Sequence, residues 1–130
     1  MKSRWGGDGS SARGDLPPGL GRTVKAGGMV YVTTVGPVDA SSGTVVSPAF
    51  KVQAEQCLRN LKSALEAAGT SLDKVVWANW CLRDPGDFDA FNEEWVRWFP
   101  GDSPVGQGTL MPPLQRRAGF RVSLGVIAEA

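Results

Sequence analysis

The sequence predicts an α+β domain in which a mixed sheet of six strands lies under two helices packed on one of its faces. Three observations favour this class. β-Branched residues cluster in residues 29–35, apolar residues recur at helical spacing over residues 54–68, and a second helical stripe is aromatic over residues 88–99. The predicted order is two strands, a short third strand, a helix, a strand, a second helix and two final strands.

A hairpin opens the predicted domain. Residues 23–26 and 29–35 have the composition of strands, and the glycine pair between them is typical of a tight turn. Residues 39–43 read DASSG and predict a second turn. Residues 44–46 then return as the short third strand.

Helix boundaries are marked by capping residues. Ser47 is a candidate N-cap with Pro48 in the first helical position, and Gly69 ends the same helix. The apolar face of this helix consists of Ala54, Cys57, Leu58, Leu61, Ala64, Leu65 and Ala68. Asp87 is the predicted cap of the second helix. The apolar stripe of this second helix consists of Phe88, Phe91, Trp95, Trp98 and Phe99.

The remaining segments complete the prediction. Residues 72–82 and 120–128 are rich in bulky or β-branched side chains and predict strands. Residues 101–113 contain many Gly and Pro residues and predict a loop. Residues 1–19 have too few apolar groups to fold and are expected to form a mobile tail. The folded domain is therefore expected to span residues 20–130.

Composition excludes several kinds of chemistry. The chain has 130 residues, of which 42% are hydrophobic, so it can form one core without disulfides or metal. It contains no histidine, which excludes Ser-His-Asp and Cys-His catalysis and every metal site that uses imidazole. Cys57 and Cys81 lack CxxC spacing and are expected to be inert buried thiols. We therefore expect no metal and no cofactor.

Net charge and hydropathy limit the classes of molecule that the protein is expected to bind. A net charge of +1 gives no sequence-wide field that would attract nucleic acid or an anionic membrane. No apolar run reaches the roughly 20 residues of a membrane span, and the first residues lack the apolar stretch of a secretory signal. We expect a soluble cytoplasmic protein that binds a small molecule.

Two segments carry a specific resemblance to a known family. Residues 53–69 read QAEQCLRNLKSALEAAG, and residues 87–100 read DFDAFNEEWVRWFP. Residues 27–33 and the pair Ile127–Ala128 match more weakly. Together these segments resemble the Rid family, also called YjgF or L-PSP proteins, whose members are best known for hydrolysing reactive enamines and imines to keto acids and ammonia. The resemblance implies a chorismate-mutase-like (YjgF) fold and a homotrimer with small-molecule ligands at subunit interfaces.

The resemblance also locates a site, and there this sequence departs from the family pattern. The arginine that clamps the substrate carboxylate lies in a P-x-R-[ST] stretch, which here reads PVGQ and places Gly106 at the arginine position. Glycine supplies neither the charge nor the planar fork of a bidentate pair. The family's acid-bearing terminal strand aligns with residues 123–125, which read SLG. Arg116 or Arg117 is the alternative source of a cation.

The candidate site therefore consists mostly of uncharged residues. The resemblance places residues 33–35 at its SGQ-like segment and Leu20 at a tyrosine position, and it retains Asn92. The candidates for catalysis are Thr34, Gln107 and Ser123. The candidates for substrate binding are Leu20, Thr33, Val35, Asn92 and Gly106. Thr and Ser are also ordinary strand residues, and Asn92 has an alternative role in bonding a loop backbone.

The leading hypothesis is a Rid-like enzyme that acts on an imine, enamine or related unsaturated intermediate in a specialised biosynthetic or catabolic pathway. The missing arginine predicts that it is not an efficient 2-iminopropanoate deaminase. One alternative is a trimeric ligand-binding or accessory protein without catalysis. A second alternative is a ribonuclease or translation inhibitor, against which the balanced charge and the missing histidine argue.

Overall fold

A mixed sheet of five strands forms one layer of the protein, and two helices cover one of its faces. The computed structural model describes residues 20–110 and 119–130. The strands are β1 (Leu20–Ala26), β2 (Met29–Val35), β3 (Val75–Leu82), β4 (Val105–Leu110) and β5 (Val122–Glu129). The helices are α1 (Phe50–Ala67) and α2 (Phe88–Trp98), and short 3₁₀ turns at Leu72–Lys74 and Pro85–Asp87 precede β3 and α2. The α+β class is confirmed.

The order of the strands in the sheet is β1-β2-β5-β3-β4. β3 and β4 run parallel, and the other three neighbouring pairs are antiparallel. A parallel pair needs a crossover, which α2 provides between β3 and β4. The last strand in the chain, β5, thereby lies in the middle of the sheet.

The expectation of six strands is wrong for the described residues, which form five. Residues 44–46 contribute a single bridge, between Val38 and Val45. This segment folds back on residues 37–39, because the Val46 N–H donates to Pro37 and the Asp39 N–H donates to Thr44. Its hydrogen bonds are used within that turn, so it adds no strand to the sheet.

A second correction concerns residues 105–110, which were expected to be loop and form β4. All six residues of this strand are exposed, and it pairs with β3 along one side. An edge strand of this kind needs no apolar alternation. Gly106 and Gly108 therefore suggest a turn when the sequence is read alone.

The core lies between the helices and the inner face of the sheet. Cys57, Leu58 and Leu61 on α1 are fully buried against strand residues such as Val30 and Val122. The predicted aromatic stripe of α2 is confirmed for Phe91, Trp95 and Phe99, which take part in a chain of ring contacts, whereas Phe88 is 47% exposed. The ring centroids in this chain of contacts lie 4.3–5.8 Å apart and involve Trp80, Phe91, Trp95 and Phe99. Among the described residues, no helix is long and apolar enough to cross a membrane.

The two predicted helix caps have different outcomes: Asp87 is the N-cap residue of α2 as predicted, whereas Ser47 is not that of α1, and neither side chain caps its helix. α1 begins at Phe50, and Ser47 instead accepts a hydrogen bond from the Ala49 N–H in the turn before the helix. Asp87 makes no side-chain cap. Its carboxylate accepts two hydrogen bonds from the Arg121 guanidinium, at 2.8 and 3.0 Å. A charge-assisted bidentate pair is stronger than a cap, which explains the difference.

A buried amide on α1 holds three segments together. Gln53 is fully buried, and its Nε2 donates to the carbonyls of Ser47 and Gly119 at 2.8 and 2.9 Å. Its Oε1 accepts from the Arg121 N–H at 2.7 Å. The side chain therefore fixes the approach to α1 and the start of β5 at the same time.

A second amide on α1 holds the chain that leaves β2. Asn60 Nδ2 donates to the carbonyls of Gly36 and Val38 at 3.0 and 2.8 Å, and its Oδ1 accepts from Gln56 Nε2 at 2.9 Å. Asn60 is 5% exposed, so these bonds form away from water. The polar residues of the most specific sequence motif therefore organise the fold.

Replacing Asn60 tests this role. Asn60→Ala leaves two buried carbonyls without a donor, so we expect a loss of about 2–4 kcal/mol in the free energy of unfolding, measured by urea denaturation. The control is Lys62→Ala, because Lys62 is exposed and its pair with Glu66 spans 3.9 Å in solvent, so its expected change is under about 0.5 kcal/mol. Equal effects in the two variants would contradict this role for Asn60.

Candidate functional site

The sheet face opposite the helices carries the candidate site. Side chains alternate between the two faces of a strand, and those of Val32, Ala78, Leu124 and Val126 pack in the helix-covered core. Their neighbours therefore point to the opposite side, which we call the outer face. On β2 to β5 the outer face consists of Met29, Tyr31, Thr33, Trp77, Asn79, Cys81, Val105, Gln107, Thr109, Ser123, Gly125, Ile127 and Glu129, and on β1 register adds Arg22, Val24 and Ala26.

Strand register brings polar residues into a row across this face. Asn79 on β3 is in register with Gly125 on β5 and with Gln107 on β4. A Cβ atom at Gly125 would lie 3.8 Å from the Cα atom of Thr33, which places Thr33 at the β2 end of the row. Thr33 and Gln107, two residues that the sequence nominated, therefore lie at the two ends of this row, with β5 and β3 between them.

A second row lies beside the first. Cys81 on β3 is in register with Ser123 on β5 and with Thr109 on β4. The Cys81 Sγ and Thr109 Oγ1 atoms are 3.1 Å apart, and Ser123 is 3% exposed. Leu20 lies at the end of this face in a small apolar cluster with Val38 and Phe120.

Three other nominated residues lie elsewhere. Val35 is fully buried in the core, and its carbonyl accepts a hydrogen bond from Cys57 Sγ at 3.1 Å. Asn92 is exposed on α2, in the helix layer. Gly106 is in register with Ala78 and so belongs to the helix-covered side of β4. The backbone of Thr34 lies in β2, where the register with β5 shifts, and its side chain is outside the described part of the structure, as are Arg116 and Arg117.

Gly106 and Gly108 allow β4 to pass against Trp80. A Cβ atom at Gly106 would lie 2.3 Å from the Ala78 carbonyl oxygen and 2.9 Å from the Trp80 ring. A Cβ atom at Gly108 would lie 2.3 Å from Trp80 Nε1. Separations this short are steric overlaps, so the indole leaves room for glycine alone at both positions.

The electrostatics of the outer face are weak. The two polar rows contain no charged side chain. Among the described strand residues, register places two charged ones on the same face: Arg22 on β1, whose Cα atom pairs with that of Thr33, and Glu129 on β5, which pairs with Met29. On the helix side, burial raises the pKa of the Cys57 thiol far above its usual range, so this thiol stays protonated. In the two described ranges, no three Cys, Asp or Glu side chains come close enough to hold a metal ion.

Reasoning from the sequence missed Asn79, Cys81, Thr109 and Arg22. Asn79 and Cys81 were included in a strand interpreted as bulky core, although they alternate with the core residues Ala78 and Trp80. That alternation is the signal that identifies them as outer-face residues. Arg22 was missed because the predicted hairpin began one residue later.

A mixed sheet with two helices on one of its sides defines the chain as a small α+β protein. The chain belongs to the endoribonuclease L-PSP family, also known as Rid or YjgF, whose sequence model matches residues 19–124. The resemblance inferred from the two helix motifs is therefore confirmed.

Relatives and solved structures agree with this assignment. A RutC family protein of Pyrococcus horikoshii is 35% identical over 84 residues, which are 65% of this chain and 67% of that protein. The chloroplastic Reactive Intermediate Deaminase A of Arabidopsis thaliana is 33% identical over 92 residues, 68% of this chain and 49% of that protein. The crystal structure of RidA from an Antarctic Psychrobacter matches with a TM-score of 0.76 and 32% identity, covering 83% of this chain and 85% of that one.

Restoring an arginine at position 106 tests the packing argument. The side chain would meet Ala78 and Trp80 on the helix-covered side, so Gly106→Arg should not place a guanidinium on the outer face. We expect Gly106→Ala to lower the free energy of unfolding by about 1–3 kcal/mol through overpacking, and Gly106→Arg to lower it at least as much, both measured by urea denaturation.

The matched control is Gly101→Ala, because nothing lies within 4 Å of a Cβ atom at Gly101. Its unfolding midpoint should stay close to that of the wild type. A Gly106→Arg variant with wild-type stability would show that Trp80 does not fill this space.

Proposed function

We propose that the protein hydrolyses an uncharged imine, enamine or related unsaturated intermediate on its outer face, within clefts between the subunits of a homotrimer. The observation that carries the proposal is the row of uncharged polar groups formed by Thr33, Asn79 and Gln107 around the open backbone of Gly125. Membership of a family with a relative named a reactive intermediate deaminase supports the reaction class.

The proposed chemistry is addition of water to a carbon–nitrogen double bond. Water forms a bond to the imine carbon, the nitrogen takes up protons, and the carbon–nitrogen bond breaks to release a carbonyl compound and ammonia. Gln107 and Ser123, together with Thr34, are proposed to orient the water and the nitrogen. Correct positioning of uncharged groups is enough to accelerate a step of this kind.

Substrate binding is proposed to use the rest of the outer face. Thr33 contributes a hydroxyl and Leu20 an apolar wall, while Val35 and Gly106 shape the strands behind them. Asn92 lies in the helix layer, so its proposed contribution is to a cleft completed by a neighbouring subunit.

Assembly into a trimer is proposed from the apolar part of the same face. Val105 on β4 is 74% exposed and Tyr31 on β2 is 42% exposed. Exposed apolar side chains grouped on one face are typical of an interface between subunits. Covering them with a second copy would also close the polar rows into a cleft.

The choice of substrate tests the proposal. A flavin amine oxidase releases the uncharged imine of benzaldehyde from benzylamine, and an amino acid oxidase releases 2-iminopropanoate from alanine. We expect the protein to accelerate hydrolysis of the first above the spontaneous rate, and kcat/KM for the second to be at least about tenfold lower, since no bidentate clamp holds the carboxylate.

Substitutions at the candidate site, compared with a control substitution far from it, test whether the site carries the activity. Gln107→Ala and Ser123→Ala should each lower kcat/KM for the uncharged imine by about tenfold, and Lys51→Ala on the exposed side of α1 should leave it unchanged. A preference for 2-iminopropanoate that disappears in Arg22→Gln would contradict the proposed substrate class. Binding without turnover of any imine would favour the accessory-protein alternative.

A further inference from the structure

One oxygen on the outer face has no hydrogen-bond partner. Among the described residues, Asn79 Oδ1 is the buried side-chain polar atom left without one. Gln53 and Asn60, the two amides on α1, both use their oxygens and nitrogens. Asn79 is therefore an exception in a protein that otherwise satisfies its buried amides.

A buried hydrogen-bond acceptor without a donor, such as Asn79 Oδ1, lowers the stability of the fold. Such an acceptor gives up its hydrogen bonds to water and gains none in return, so burying it destabilises the folded state. An apolar side chain of the same shape would avoid that cost, because β3 already carries large apolar residues on both sides of Asn79. An unsatisfied acceptor of this kind indicates a donor that comes from outside the described residues.

The surroundings of Asn79 show where that donor would sit. Asn79 Nδ2 donates to Cys81 Sγ at 3.5 Å, and because the two polar atoms diverge from the amide carbon, Oδ1 points away from Cys81. On the β5 side, Gly125 has no side chain, and a Cβ atom there would make ordinary contacts of 3.4 Å or more. Gly125, the register partner of Asn79, therefore puts no side chain beside the amide on the β5 side.

The absence of charged groups next to Asn79 favours an uncharged hydrogen-bond donor to its Oδ1 atom. Neither polar row around Asn79 contains a negatively charged side chain that could balance an ammonium or iminium group, and Glu129, the acid on the same face, lies four residues from Gly125 along β5. An uncharged N–H donor gives Oδ1 its hydrogen bond without burying an unbalanced charge.

We propose that Asn79 recognises the substrate by accepting a hydrogen bond from the N–H of an uncharged imine, enamine or amide group held above Gly125. This deepens the proposed function and rests on it for the identity of the substrate. Asn79 acts here as a specificity-determining residue, and its oxygen distinguishes a nitrogen donor from an oxygen or ester group of the same shape.

The test uses the full chain with Asn79→Leu and Asn79→Asp. The leucine variant removes the unsatisfied oxygen, so we expect its urea midpoint to equal or exceed that of the wild type, while kcat/KM for the benzaldehyde imine falls at least tenfold. The aspartate variant keeps an acceptor in place and should retain at least five times the kcat/KM of the leucine variant.

Ligand-detected NMR gives a readout that does not need turnover. Benzamide should bind the wild type more tightly than methyl benzoate, which has a similar shape and no N–H donor, and Asn79→Leu should remove this difference. No preference for benzamide in the wild type would mean that water alone satisfies the oxygen, and would overturn the proposal.

Two other results would also overturn it. A lowered midpoint in Asn79→Leu would show that Oδ1 is satisfied within the protein, and dissociation of the assembly by this variant would show that a second copy supplies the donor. If the wild type hydrolyses no imine but binds benzamide in a manner that depends on Asn79, the proposed function fails and the recognition site stands.

Discussion

The buried carboxamide of Gln53 is the interaction on which the rest of the structure depends. It bonds to the turn before α1 and to both sides of the start of β5, and Arg121 adds its bidentate pair with Asp87 at the same place. β5 lies in the middle of the sheet, so the position of its first residue sets its register with β2 and β3. This register places Ser123 beside Cys81 and Gly125 beside Asn79 on the outer face.

Packing on the helix side determines what the edge strand can contribute to the site. Trp80 lies against β4, where Gly106 and Gly108 have no room for a side chain, and its ring also contacts Phe91 and Trp95. A cation anchored at position 106 is therefore incompatible with this core. The alternation along β4 leaves Gln107 and Thr109 on the other side, so the strand offers neutral hydrogen-bonding groups to a ligand.

Much of the fold could be predicted from the sequence because it depends on local patterns. The apolar repeat of α1 and the aromatic stripe of α2 follow directly from helical spacing. β4 could not be predicted, because an exposed edge strand with two glycines has no apolar pattern to detect. Part of the candidate site could be predicted, since Gln107 and Ser123 were nominated from a family pattern. Asn79 was missed because its role depends on its register with Gly125 and Gln107, and only the folded sheet establishes that register.

Recognition of an uncharged N–H group by Asn79 on the outer face is tested most directly by a crystal structure of the protein soaked with benzamide. We expect the amide nitrogen within about 2.7–3.2 Å of Asn79 Oδ1, with the ring over the outer face near Gly125. Benzamide bound elsewhere, or Asn79 Oδ1 paired with a side chain of a neighbouring subunit, would contradict recognition by Asn79.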